Sequence, residues 1–142
     1  MILFCDTSAL MKLYAQEQHS DWTRQQVTAS SRCIVSQITC VEMCAAFELK
    51  ERTGHIHATE AKAALARLRV EWPMYIRLSL DNTLVNTAGE LALRFRLRAY
   101  DSVQLASAQQ AHLPLGQNMR FCCFDKQLNT AAKAQGLPLL LQ

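Results

Sequence analysis

The order of apolar and polar positions along this chain alternates between two kinds of signal. Short unbroken apolar runs occur at Met1–Cys5, Cys33–Val35 and Phe121–Phe124, and each reads as a buried β-strand, the last beginning at Arg120. Between them lie longer stretches with apolar residues at helical spacing: Thr7 to about Gln16, Asp21–Ala29, and Ser36 or Thr39 to Arg52, where Thr53-Gly54 stops the helix. Ala61, Ala64, Leu65 and Leu68 repeat every three or four positions over Ala58–Val70, and Pro73 ends that element. Tyr75–Leu80 alternates like a short strand. After Asp81, the residues Leu84, Val85, Ala88, Leu91, Ala92 and Phe95 form one apolar stripe of a helix. Helices are further expected at Ser102–His112 and Lys126–Gln135, with a last short strand at Leu137–Leu141. Strands alternating with helices predict an α/β fold, a three-layer sandwich around a mainly parallel sheet.

In such a sheet the strand-to-helix junctions gather on the carboxyl edge, where ligands bind. Four acidic residues fall at or near those junctions: Asp6, Glu42, Asp101 and Asp125. Each also has a plain structural reading. Asp is a favoured helix N-cap, Asp101 with Gln104 resembles a capping box, and Glu42 stands three residues after Thr39 in the same way. Singly, capping is the better account of any one of them. Together they place several carboxylates at one edge, and carboxylates at close quarters require a divalent cation or a raised pKa.

The 142 residues fit one domain, 1–142, with half of them hydrophobic and only four Gly and three Pro, so low complexity is excluded. A net charge of +3 is mildly basic and compatible with a polyanionic partner. The apolar start ends at Asp6 with no basic lead, which does not read as a signal peptide, and no run approaches the ~20 residues of a membrane span. Six cysteines lack zinc-site spacing, and buried reduced thiols in a cytoplasmic protein are expected. His19, His55, His57 and His112 are scattered and expected at the surface, while Trp22 and Trp72 are expected to anchor packing.

Four segments carry a family resemblance. Asp6-Thr7-Ser8-Ala9-Leu10 with Lys12 and Tyr14, Ser36-x-x-Thr39-x-x-Glu42, Leu97 to Ala108 around Asp101, and Phe124-Asp125-x-x-Leu128-x-x-Ala131-Ala132 occur in the order found in PIN-domain ribonucleases, and the chain most closely resembles the VapC-type toxins. The resemblance implies a four- or five-stranded parallel sheet, Mg²⁺ or Mn²⁺ dependence and cleavage of RNA. It also implies inhibition by a VapB-type antitoxin and homodimerisation. Under it, Asp6, Glu42, Asp101 and Asp125 are the metal-binding and catalytic residues, with Thr7 and Ser8 as supporting hydroxyls. Arg94, Arg96 and Arg98 are candidate RNA contacts or a solvated face. One position departs from the pattern: Cys123 stands where such proteins often carry Thr or Ser, and a thiol is a poor ligand for a hard cation. Two other readings remain open at this stage. A haloacid-dehalogenase-type phosphatase also begins with Asp after strand one, but wants a second Asp where Ser8 stands. The other is a catalytically silent PIN-like interaction module.

Overall fold

The computed structural model describes residues 1–141. Its central sheet has four strands, β1 (Ile2–Cys5), β2 (Arg32–Ser36), β3 (Ile76–Leu78) and β4 (Met119–Cys122), in the spatial order β3-β2-β1-β4. Every pairing is parallel, so the sheet is wholly rather than mainly parallel. Seven α-helices flank it: α1 (Thr7–Tyr14), α2 (Ser20–Ala29), α3 (Ile38–Arg52), α4 (Ala58–Glu71), α5 (Asn82–Phe95), α6 (Ala99–Leu115) and α7 (Lys126–Ala134).

Both faces of the sheet are covered, which is why its strands read as continuous apolar runs. Alternate residues of β1 point to opposite layers. Leu3 and Cys5 join Leu10 of α1, Met43 and Phe47 of α3, and Leu68 of α4. Phe4 faces the other way with Leu84 and Leu91 of α5, Leu105 of α6 and Leu128 of α7, and its ring stacks on Phe121 at 5.9 Å between centroids. The strand ends Cys5, Ser36, Leu78 and Cys122 therefore lie along one edge, tied by Asp6 N–H to the Cys122 carbonyl (3.2 Å) and Gln37 N–H to the Leu78 carbonyl (3.0 Å).

Several expectations are corrected. Leu137–Leu141 forms no fifth strand but a single parallel bridge, Leu139 with Phe121. Pro138 offers a carbonyl to Phe121 N–H but has no N–H of its own to extend a ladder. The strand expected at Tyr75–Leu80 is three residues long. Helix α6 starts earlier and runs further than Ser102–His112, with Arg98 rather than Asp101 as its N-cap and Pro114 in its last turn. The thiols are free as expected, but Cys44 is exposed. His19 and His112 are half-buried, and the His19 ring stacks on Phe124 at 5.3 Å. Trp22 packs edge-on against Phe124, in keeping with an anchor.

Candidate active site

Asp6 leaves the central strand β1 and caps α1, its Oδ1 accepting from Ala9 N–H at 3.0 Å. It is only 4% exposed. Ser8 Oγ donates to the same oxygen at 2.7 Å, and the Cys123 thiol donates to Oδ2 at 3.1 Å. Burial pushes the Asp6 pKa up from 3.8 to about 6, against the opposing pull of these hydrogen bonds. None of the ion pairs among the described residues includes Asp6. A carboxylate lies inside the protein with neutral donors and no cation. Cys123 is held protonated by the same surroundings, since burial and then Asp6 push its thiol far above the usual range. It acts as a donor to the acid and not as a ligand.

Glu42 sits just past the first turn of α3 and is half-buried. Its Oε1 accepts from Thr7 Oγ1 at 2.7 Å and from Gln104 Nε2 at 2.8 Å. Thr7 is the residue after Asp6, so the segment that carries the first acid also bonds the second. Thr7 and Ser8, expected as supporting hydroxyls, each bond one of the acids, Ser8 Asp6 and Thr7 Glu42. Gln104 also reaches Thr7 Oγ1 at 3.0 Å and Thr39 Oγ1 at 2.8 Å. Neither Gln104 nor Thr39 completes the capping box that its spacing suggests: α6 is capped by Arg98, and α3 by Gln37.

Asp101 lies in the first turn of α6 and pairs with Arg98 across 3.3 Å. With Glu42, Arg98, Ala99 and Tyr100 it lines an open cleft of about 410 Å³. A recess of about 300 Å³ at the amino edge of the sheet, beside Arg32 and Tyr75, includes none of the four candidate acids. Asp125 is placed differently. Its carboxylate accepts from Leu128 N–H at 2.8 Å as the cap of α7, and its backbone N–H donates to the Cys123 sulfur at 3.3 Å. Cys123 links it to Asp6, since the thiol bonds both residues. Arg94, Arg96 and Arg98 do not form one helix face: they occupy the last turn of α5, its left-handed C-cap and the N-cap of α6.

The donor set at this edge is carboxylate and hydroxyl oxygen, the hard chemistry that Mg²⁺ and Mn²⁺ take. The uncompensated charge of Asp6 fits such an ion. Among the described residues no three His, Cys, Asp or Glu side chains close around one point.

The PIN domain family matches residues 3–133, nearly the whole chain. This chain belongs to the PIN-domain family. Among curated relatives, "Ribonuclease VapC46" of Mycobacterium tuberculosis (strain ATCC 25618 / H37Rv) is 30% identical over 138 residues, covering 97% of this chain and 95% of the relative. The PIN fold is equally plain in solved structures. FitAcB from Neisseria gonorrhoeae aligns over 99% of this chain and 97% of its own, with a TM-score of 0.71 at 16% identity. A toxin-antitoxin complex from Klebsiella pneumoniae aligns over 88% and 87%, with a TM-score of 0.61 at 17% identity. Within this PIN domain the residue that sequence reasoning missed is Gln104. Its sequence signal, three residues after Asp101, reads as a capping partner instead.

Proposed function

We propose that this PIN domain is a divalent-cation-dependent endoribonuclease, the toxin of a type II toxin–antitoxin pair restrained by a VapB-type antitoxin. One observation carries the reading: the protein holds an uncompensated buried carboxylate, Asp6, and the next residue, Thr7, bonds a second, Glu42, at the edge where Asp101 lines an open cleft. A 30% identical relative named as a ribonuclease supports the chemistry, and a fold neighbour solved as a toxin-antitoxin complex supports the partner. Homodimerisation and cytoplasmic location belong to the same reading. Among the described residues no helix is long and apolar enough to cross a membrane.

Asp6, Glu42 and Asp101 are the residues that would hold Mg²⁺ or Mn²⁺, directly or through water. A cation there supplies acidity to a bound water and neutralises charge on the scissile phosphate. No side chain need act as a nucleophile. Ser8 and the Cys123 thiol keep Asp6 oriented, and Thr7 does the same for Glu42. Asp125 acts from further out, ordering the end of β4 and the start of α7 next to Cys123. At the mouth of the cleft, Arg98 is 83% exposed beyond its pairing with Asp101 and is available to a phosphate, while the Tyr100 ring, 58% exposed, offers a face to an unpaired base.

Incubating purified protein with generic single-stranded RNA and with p-nitrophenyl phosphate, in Mn²⁺ and then in EDTA, tests this. Cation-dependent RNA cleavage with background phosphatase activity is expected. RNA left intact in Mn²⁺ contradicts the reading.

A further inference from the structure

Gln104 is wholly buried, yet it is not packed as a core residue. Its Nε2 has two protons and three acceptors within reach: Thr7 Oγ1 of α1, and Thr39 Oγ1 and Glu42 Oε1 of α3. These partners lie 97, 65 and 62 residues away in sequence. The other amide atom, Oε1, is buried and has no hydrogen-bond partner among the described residues. Leaving a buried acceptor unpaired costs stability, and a Leu or Met of similar size at this position in α6 would avoid that cost. The fold therefore has little use for an amide here, whereas the acidic edge has one. Glu42 Oε1 is taken up by two donors, Thr7 and Gln104, from two other helices. Two donors fix the plane of the carboxylate and leave only Oε2 for whatever enters the cleft. Gln104 also lies one turn along α6 from Asp101, so one rigid helix places an acid and the amide that orients another.

We propose that Gln104 is a positioning residue of the acidic centre, which locks Glu42 against Thr7 and sets the distance between the α1, α3 and α6 contributions. The inference rests on the ribonuclease reading for its kinetic consequences, and on cation binding for the rest.

The test compares wild type, Gln104→Leu and Gln104→Met, each alone and combined with Glu42→Gln. Three quantities are measured: Mn²⁺ affinity by calorimetry, single-strand RNA cleavage resolved into kcat and KM, and melting temperature. Mn²⁺ affinity and kcat should each fall by about 10- to 100-fold. KM should stay within about twofold, and melting temperature within about 4 °C of wild type. In the Glu42→Gln background the added Gln104 change should alter Mn²⁺ affinity by less than about twofold, because the group being positioned is already gone. The proposal is overturned if both Gln104 variants bind Mn²⁺ and cleave like wild type. Equal losses in both backgrounds also overturn it, as does a loss that follows a fall in melting temperature in both variants. A wild type that binds Mn²⁺ but leaves RNA intact overturns the ribonuclease reading instead, and the Mn²⁺ cycle then decides Gln104 alone.

Discussion

Two strand-to-helix junctions of this sheet are built alike and end differently. At the β1–α1 junction Asp6 has extended backbone (φ −74°, ψ 178°) and accepts from the amide three residues on. At the β3–α5 junction Asp81 has nearly the same backbone (φ −86°, ψ 175°) and accepts from Leu84 N–H at 2.8 Å. As helix caps the two are equivalent. Asp81, however, is exposed beyond an edge strand and makes no other side-chain hydrogen bond among the described residues, whereas Asp6 is buried beside the centre of the sheet with Ser8 and Cys123 turned onto it. Capping accounts for Asp81 completely. It does not explain why Asp6 keeps a charge in the interior, and that surplus marks the site.

The contrast can be broken most forcefully by activity. Asp6→Asn keeps a capping oxygen but removes the charge, and RNA cleavage in Mn²⁺ should fall roughly 100- to 1,000-fold. Asp81→Asn should cleave like wild type. Initial rates on one single-stranded RNA decide this, and equal losses in both variants would reduce Asp6 to a cap.

Cation linkage gives the next largest effect. Mn²⁺ at a hundredfold excess over its Kd should stabilise wild type by about 2.7 kcal/mol. Asp81→Asn should respond equally and Asp101→Asn clearly less. Thermal melts with and without Mn²⁺ show whether Asp101 shares the site.

A smaller change is expected from the arginines. Replacing Arg94, Arg96 and Arg98 with Gln in an Asp6→Asn background should weaken RNA binding by about tenfold at low salt and lower the salt slope by about one to two. The effect is modest because the three side chains are spread over a turn and Arg98 already faces Asp101. Affinity measured across a salt series tests it, and an unchanged slope assigns these residues to a solvated surface. The smallest effect is that of Asp81→Ala, a loss of about 1 kcal/mol of stability from a missing cap, read by denaturant melts, with cleavage intact.

Much of this architecture was legible in the sequence because a parallel sheet covered on both faces leaves apolar runs that stop at polar junctions. Asp6, Glu42 and Asp101 could be singled out on that ground together with the family pattern. What separated Asp6 from Asp81 could not, since the two share one local signature and differ in tertiary burial. Gln104 was hidden for a related reason. Its spacing from Asp101 imitates a capping box, and its real partners come together only when α1, α3 and α6 converge. Cys123 reads as a defect in the motif, yet in three dimensions its thiol is a donor to Asp6. Asp125 was legible as a junction residue, but its carboxylate turns to its own helix.

On the proposed function, the protein tolerates an unfavourable buried charge at Asp6 for the sake of the site. The native state binds a proton at Asp6 more tightly than the unfolded chain does, with a pKa of about 6 against 3.8. Stability from this group is therefore greatest below about pH 4 and declines as pH rises towards 6, by on the order of 3 kcal/mol. Denaturant melts of wild type and Asp6→Asn from pH 4 to 7.5, without divalent cations, isolate that contribution as a difference. The prediction is that Asp6→Asn is the more stable protein at pH 7 and that its advantage shrinks steadily towards pH 4. An Asp6→Asn variant that is less stable than wild type at pH 7, or offset by the same amount at every pH, would contradict it.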